Sequence, residues 1–285
     1  MKNRTTMNNL VLYKFIPFEG FRKTLESWTL KCSTIYGVND ILENVPCFPK
    51  NKPSEINTNL QNSFTEAFFS FSHKMSVPAM WGHYAANATG VCMVFVLPCE
   101  KLTGRNGYRV YRNAPSYELG AANSSDDTTA LLDLVYSDER AKYPYEDIET
   151  YPKPEQEKEV ASRLTDLLIR KAACWQYENE IRLFDSFDNA DSVVNNYLLY
   201  SWIMRYFAGV LVAPKCEVHK AVIKKLIETS YENNNKKSLI YPLLKNGWIV
   251  QDASFARSTF SIVSDGLTDN MSFKHFCKLY FHSQK

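Results

Sequence analysis

The sequence carries almost no net charge: thirty-three Lys and Arg stand against thirty-one Asp and Glu, leaving +2 over 285 residues. That balance supplies no electrostatic footprint for nucleic acid or for an anionic membrane, so neither is expected as a partner. No apolar run reaches the roughly 20 residues that a membrane-spanning helix needs. The longest near-apolar stretch, residues 197–213, is interrupted by Arg205 and Gly209 and is better read as a buried helix followed by a strand. Seven scattered cysteines, odd in number, include no Cys-x-x-Cys pair, and no apolar secretory segment precedes the first strand. They are expected to be reduced, mostly buried thiols of a protein made in the cytosol. His275, Cys277 and His282 suggest a metal only weakly, because no fourth ligand is in register, and no metal is expected. A Gly-x-x-x-x-Gly-Lys loop, a Gly-x-Gly-x-x-Gly turn, a Gly-x-Ser-x-Gly elbow and a His-Glu-x-x-His helix are all missing, which removes the local geometry of four common chemistries.

What is present is globular material, 45% hydrophobic, 14% aromatic and 22% charged, long enough to bury a sizeable core. A main domain over residues 1–255 and an extension over 256–285 are expected, the extension carrying a weak helix at 273–281. Strands are predicted at residues 10–15 and 66–73, where alternating faces can be read, and at 91–97 (following Gly90), 209–213, 238–242 and 248–253. Helices are predicted after Pro17 with Phe21, Leu25 and Trp28 on one face, at 77–86, at 155–173, at 197–206 and at 218–231. Residues 46–62 and 102–129 read as surface loops.

The stretch CWQYENEIRLF, residues 174–184, is the centre of the functional reading. Laid out as a strand it puts Trp175, Tyr177, Ile181 and Leu183 on one face and Glu178, Glu180 and Arg182 on the other. The two glutamates would then have Cα atoms about 7 Å apart, pointing the same way. A solvated outer face explains this at little cost. A carboxylate pair used together explains it as well, one acid stabilising positive charge on a sugar carbon and the other orienting a nucleophile.

Other strands offer matching groups. Ser70 and Ser72 share a face of the second strand, small hydroxyls able to orient a carboxylate or a ribose, or else an edge strand's tolerated serines. Lys14 lies on the same face as Leu10 and Leu12, where its charge must snorkel, pair or meet a ligand. Tyr84 could lie against a planar heterocycle, and His83 beside it could act as a base or simply pack.

The run Leu12 to Phe15, the Asn39-Asp40 turn, Met80 to Ala85, Gly90 to Cys92 and Trp175 to Leu183 together resemble a bacterial family catalogued as a domain of unknown function. The resemblance covers most of residues 10–255. Where that family carries Asn-Asp-Pro-Phe-Asp, this chain reads Asn39-Asp40-Ile41-Leu42-Glu43.

The order cation, Ser-x-Ser, Glu-x-Glu is more distantly similar to the ADP-ribosyltransferase superfamily of the Arg/Ser-x-Ser/Glu type. That likeness implies an α+β split β-sandwich with peripheral helices, which uses NAD as a substrate. Its first-strand arginine is absent, with Lys14 or Tyr13 near its place, and its Ser-Thr-Ser is Ser70-Phe71-Ser72. By this resemblance Glu180 binds the nicotinamide ribose, Glu178 orients an acceptor such as arginine, Ser70 and Ser72 brace the acid and the ribose, and Tyr84 packs on nicotinamide.

The implied activity is NAD-dependent modification of a protein acceptor by a bacterial toxin, defence component or effector, acting in the bacterial cytoplasm or after translocation into a host cell. The alternatives are a non-catalytic nucleotide- or protein-binding module on the same scaffold and a hydrolase of another glycosidic bond.

Overall fold

The alternating, β-prone stretches pair into a mixed α+β structure built on a mostly antiparallel sheet. The structure, a computed structural model, describes residues 8–34, 37–38, 40, 42–43, 45–47, 66–113, 127–143, 154–195, 197–235 and 237–282. β1 (Asn8–Ile16) leads through Pro17 into α1 (Phe18–Ser27), followed by β2 (Leu30–Cys32) and β3 (Glu66–Ser72). Then come α2 (Pro78–Tyr84), β4 (Val91–Lys101), β5 (Gly107–Tyr111), β6 (Thr128–Asp133) and β7 (Val135–Ser137). α3 (Pro154–Ile169), β8 (Arg170–Ala172), β9 (Glu180–Ser186), β10 (Ser192–Val194), β11 (Tyr197–Tyr200) and β12 (Phe207–Val212) follow. The chain closes with α4 (Lys220–Asn233), β13 (Ile249–Phe255), β14 (Ile262–Ser264) and α5 (Phe273–Tyr280). Among the described residues no helix is long and apolar enough to cross a membrane.

The main sheet runs β1-β3-β9-β6-β5-β4-β12-β13-β14, and β1 also pairs with β4 along its whole length, Asn8 with Cys99 through Ile16 with Val91. The first six strands therefore form a ring. It is joined between β1 and β3 by one residue pair, Tyr13 with Ser72. Where the two strands part, side chains from both line a cleft. β4 is buried on both faces from Val91 to Cys99, which explains its near-continuous apolar sequence. Gly90, at its entrance, has no room for a side chain: a Cβ would fall 2.3 Å from the Ile16 carbonyl oxygen.

Part of the core is an aromatic cluster around Trp28. Trp28 ends α1 in a left-handed conformation (φ 51°) and packs against Phe207, Tyr231 and Trp248. Such ring clusters combine large apolar burial with favourable edge-to-face geometry.

Several expectations are corrected. Residues 197–206 are not a helix: β11 pairs with β2 and buries Leu198 and Tyr200 at period two, and a 3-10 turn follows over Trp202–Tyr206. Residues 102–129 contain β5 and the start of β6, whose pairing closes the ring. Residues 238–242 are turn rather than strand, because Ser238 Oγ accepts from the Ile240 and Tyr241 amides ahead of a 3-10 turn at Tyr241–Leu243. Most of the loop expected at 46–62, the polar stretch at 123–126 and Asn39 lie outside the described residues.

The segment after residue 255 is packed into the same core. Ile262, Leu267, Met271 and Phe276 are buried there. The Tyr13 hydroxyl donates to the Thr268 carbonyl at 2.7 Å, and the Asp269 carboxylate accepts from the Met75 and Ser76 amides.

Candidate functional site

The Glu-x-Glu stretch is not one continuous strand. Residues Ala173–Glu178 form a 3-10 turn, Asn179 takes a left-handed conformation (φ 47°), and β9 begins at Glu180. Asn is the non-glycine residue that accepts this conformation most readily, and it lets the chain change direction between the two acids. The glutamates still meet, brought together by a shared cation and not by strand periodicity.

That cation is Lys171 on β8. Its Nζ lies 2.5 Å from Glu178 Oε2, 2.9 Å from Glu180 Oε2 and 3.5 Å from Glu43 Oε2. Arg182 donates through Nε to Glu180 Oε1 at 2.9 Å, and its terminal nitrogens reach Glu43 and the Leu168 carbonyl. Tyr84 donates to Glu178 Oε1 at 2.5 Å, and the Glu180 amide donates to the Tyr136 hydroxyl at 2.8 Å.

The solvated-face explanation fails, because Glu178, Glu180, Arg182 and Lys171 are 2%, 6%, 1% and 8% exposed. Buried charges persist only when paired and hydrogen-bonded, and each of these has such partners.

The electrostatics separate the two acids. Burial pushes the Glu180 carboxyl up, but Arg182 and then Lys171 outweigh it and hold it at about 2. Burial also raises Glu178, and there it prevails over the opposing pull of Lys171 and Tyr84. Burial would lower Lys171, yet Glu180, Glu43 and Glu178 together hold it above its ordinary value, so it is a firm cation. Lys14 is lowered, mainly by burial, with Lys31 adding repulsion.

The cleft has a volume of about 240 Å³ and is lined by Lys14, Ser70, Ser72, Tyr84, Glu178 and Glu180, among others. Seven of the eight residues singled out from sequence thus line one cleft, Tyr13 included. Ser70 lines the cleft beside Glu180 and adds to the lowering of its carboxyl. Ser72, directly across from Glu180 in the β3–β9 ladder, spends its hydroxyl on the main chain, donating to the Glu178 carbonyl at 2.6 Å and accepting from the Lys74 amide at 3.0 Å. Lys14 bridges the gap between β1 and β3 by donating to the Ser70 carbonyl at 3.1 Å.

Tyr13 and His83 offer no free group to the cleft in the same way. Tyr13 borders the cleft, but its hydroxyl is committed to Thr268. His83 is exposed, packs beside Trp175 and Tyr177 with ring centroids 6.4 Å away, and does not line the cleft.

Sequence reasoning missed Lys171 and Glu43 and undervalued Arg182. Glu43 had a signal, since it keeps an acid where the resembling family's turn ends in Asp. Lys171 had none: three residues of strand after a long amphipathic helix read as the helix's last turn. Trp175 Nε1 donates to Asp40 at 2.9 Å, so two of the separated motifs touch beside this cluster. Among the described residues no group of three or more His, Cys, Asp or Glu is arranged to hold a metal ion.

Residues 80–183 match a family described as Protein of unknown function (DUF2971). The matched stretch contains Tyr84, Lys171, Glu178, Glu180 and Arg182, while Lys14, Glu43, Ser70 and Ser72 lie before it. No curated protein and no solved structure matches the chain.

Proposed function

We propose that the cleft binds NAD and that the protein is an ADP-ribosyltransferase on a split β-sandwich of that superfamily's type, modifying a protein acceptor on arginine as a bacterial toxin or effector. The observation that carries this reading is Glu180: a buried carboxylate held below its ordinary value and braced by Arg182 and Lys171, lining a cleft that Ser70 and, from the first strand, Lys14 also line.

In the proposed reaction the bond between nicotinamide nitrogen and ribose C1′ breaks, and its electron pair leaves with nicotinamide. Positive charge develops on the ribose, and a fixed carboxylate in a site screened from water stabilises it. Glu178 accepts a hydrogen bond from the acceptor guanidinium and takes its proton as the new C–N bond forms. Lys14 faces the diphosphate. Pockets that enclose drug-sized ligands span about 300–1,000 Å³, so this smaller cleft would receive the nicotinamide riboside end and leave the adenosine half across its mouth.

One observation favours a second reading, a non-catalytic nucleotide- or protein-binding module: a single ammonium already occupies both acids. The two separate in one assay. Purified protein is incubated with labelled NAD and lysate, and nicotinamide release and protein labelling are compared with Glu180→Gln. The transferase reading expects turnover in the wild type and a loss of about a hundredfold or more in the variant, the scale for removing one electrostatic stabiliser. Equal activity in both, or none in the wild type with no shift of its melting temperature by NAD, sinks it.

A further inference from the structure

Glu43, Glu178 and Glu180 converge on one ammonium, yet they depend on it unequally. Arg182 takes the second oxygen of both Glu43 and Glu180. Glu178 makes its ion pair with Lys171, and its other oxygen accepts from Tyr84. Lys171 reaches this point because β8 pairs in parallel with β7 directly after α3, and the 3-10 turn then carries the chain back beneath the side chain, 7 residues on. The ammonium also lies over Trp175, with Nζ 5.3 Å from its ring centroid. The lysine is buried and ion-paired to three carboxylates.

We propose that Lys171 is the positioning residue of the cleft, its ammonium tying the Glu178 carboxylate to that of Glu180 so that the acceptor-orienting and ribose-stabilising acids work as one unit. The inference rests on the transferase reading and assigns a role to a residue outside the Glu-x-Glu motif.

Two like charges in a buried site repel, and the more weakly held one takes up a proton unless a cation intervenes. Glu178 is the more weakly held. Burial raises it, Glu180 adds to the rise, and Lys171 and Tyr84 oppose it. Tyr136 and Tyr177, the other titratable groups coupled to it, are themselves raised and stay neutral at ordinary pH. Lys171 is therefore the main group whose charge opposes protonation of Glu178.

The test follows the Glu178 carboxyl directly, by carbon-13 NMR of protein labelled at glutamate, with the resonance assigned through Glu178→Gln. In Lys171→Met the Glu178 carboxyl is expected to titrate about one to three pH units higher than in the wild type, and Lys171→Arg is expected to restore it. The acid limb of NAD turnover moves by the same amount, whereas a merely structural loss would lower turnover at every pH alike. Should Lys171→Met fail to fold, the double variant Lys171→Gln with Glu43→Gln removes one charge of each sign and carries the same expectation for Glu178.

An unchanged titration of Glu178 in a folded variant overturns the proposal. The two readings fail separately. A shifted titration in a protein that never turns over NAD would sink the transferase and leave Lys171 only its hold on the Glu178 carboxyl, whereas turnover without the shift would sink the positioning role alone.

Discussion

Ser72 and Glu178, 106 positions apart in the chain, are joined where the Ser72 hydroxyl donates to the Glu178 carbonyl at 2.6 Å. The same oxygen accepts the Lys74 amide, so a fully buried hydroxyl fastens the end of β3 to the turn that carries one of the two acids. Ser72 acts through the main chain and needs no substrate to do so.

Ser72→Ala is accordingly expected to destabilise the fold by about 1–3 kcal/mol, chiefly the cost of leaving the buried Glu178 carbonyl without this donor. Urea denaturation measures this directly. A variant as stable as the wild type would mean that the turn is held by other contacts.

Tyr84→Phe keeps the ring and removes the donor to Glu178 Oε1. Since that hydrogen bond lowers the Glu178 carboxyl, its loss raises it further. The acid limb of NAD turnover should move to higher pH while stability changes by no more than about 1.5 kcal/mol, the usual net worth of one hydrogen bond. Identical pH profiles for the two proteins would show that Glu178 does not limit the reaction.

Acidification tests Glu180. Its carboxyl ordinarily titrates near 4.5 and is held at about 2 in the fold, a lowering that burial opposes and Arg182 and Lys171 impose. A depressed carboxyl contributes stability that is complete above its unfolded value and is lost as pH falls toward the folded one. Stability should therefore drop between pH 4.5 and about 2, by roughly 3 kcal/mol from this group. Glu178, raised in the fold, works in the opposite sense, its contribution lost as pH rises. Glu180→Gln should flatten the acid side of the stability curve, and an unaltered slope would place the acid sensitivity elsewhere.

Truncation after residue 255 should abolish cooperative folding. It removes Ile262, Leu267, Met271 and Phe276 from the core, together with the Asp269 carboxylate that receives two amides after β3. Thermal melts followed by tryptophan fluorescence would show a broad transition or none. A sharp melt close to that of the full chain would make the last thirty residues an appendage.

The legible parts of the fold were those where one local rule acted alone. β1 and β3 follow from alternation, β4 from its near-continuous apolar run, and the helices α1 and α4 from a 3.6-residue apolar face, and their boundaries differ from expectation by a few residues at most. Residues 197–206 were read as helix because Tyr, Leu and Trp satisfy either period over so short a span, and pairing with β2 decided between them. β5 stayed hidden because its Gly107 and Arg109 resemble loop residues until β4 and β6 flank them.

At the cleft, residue order was enough to nominate Lys14, Ser70, Ser72, Tyr84, Glu178 and Glu180, because side chains of one strand face in known directions and these types suit one chemistry. It could not reveal that the acids are buried, that Asn179 breaks the strand between them, or that Lys171 and Glu43 complete the cluster. Those facts depend on which strands become neighbours. Ser72 stands opposite Glu180 because β3 lies beside β9, and Lys171 arrives because β8 lies beside β7. Local pattern specifies the direction of a side chain; only the packed sheet specifies what it meets and whether water is still there.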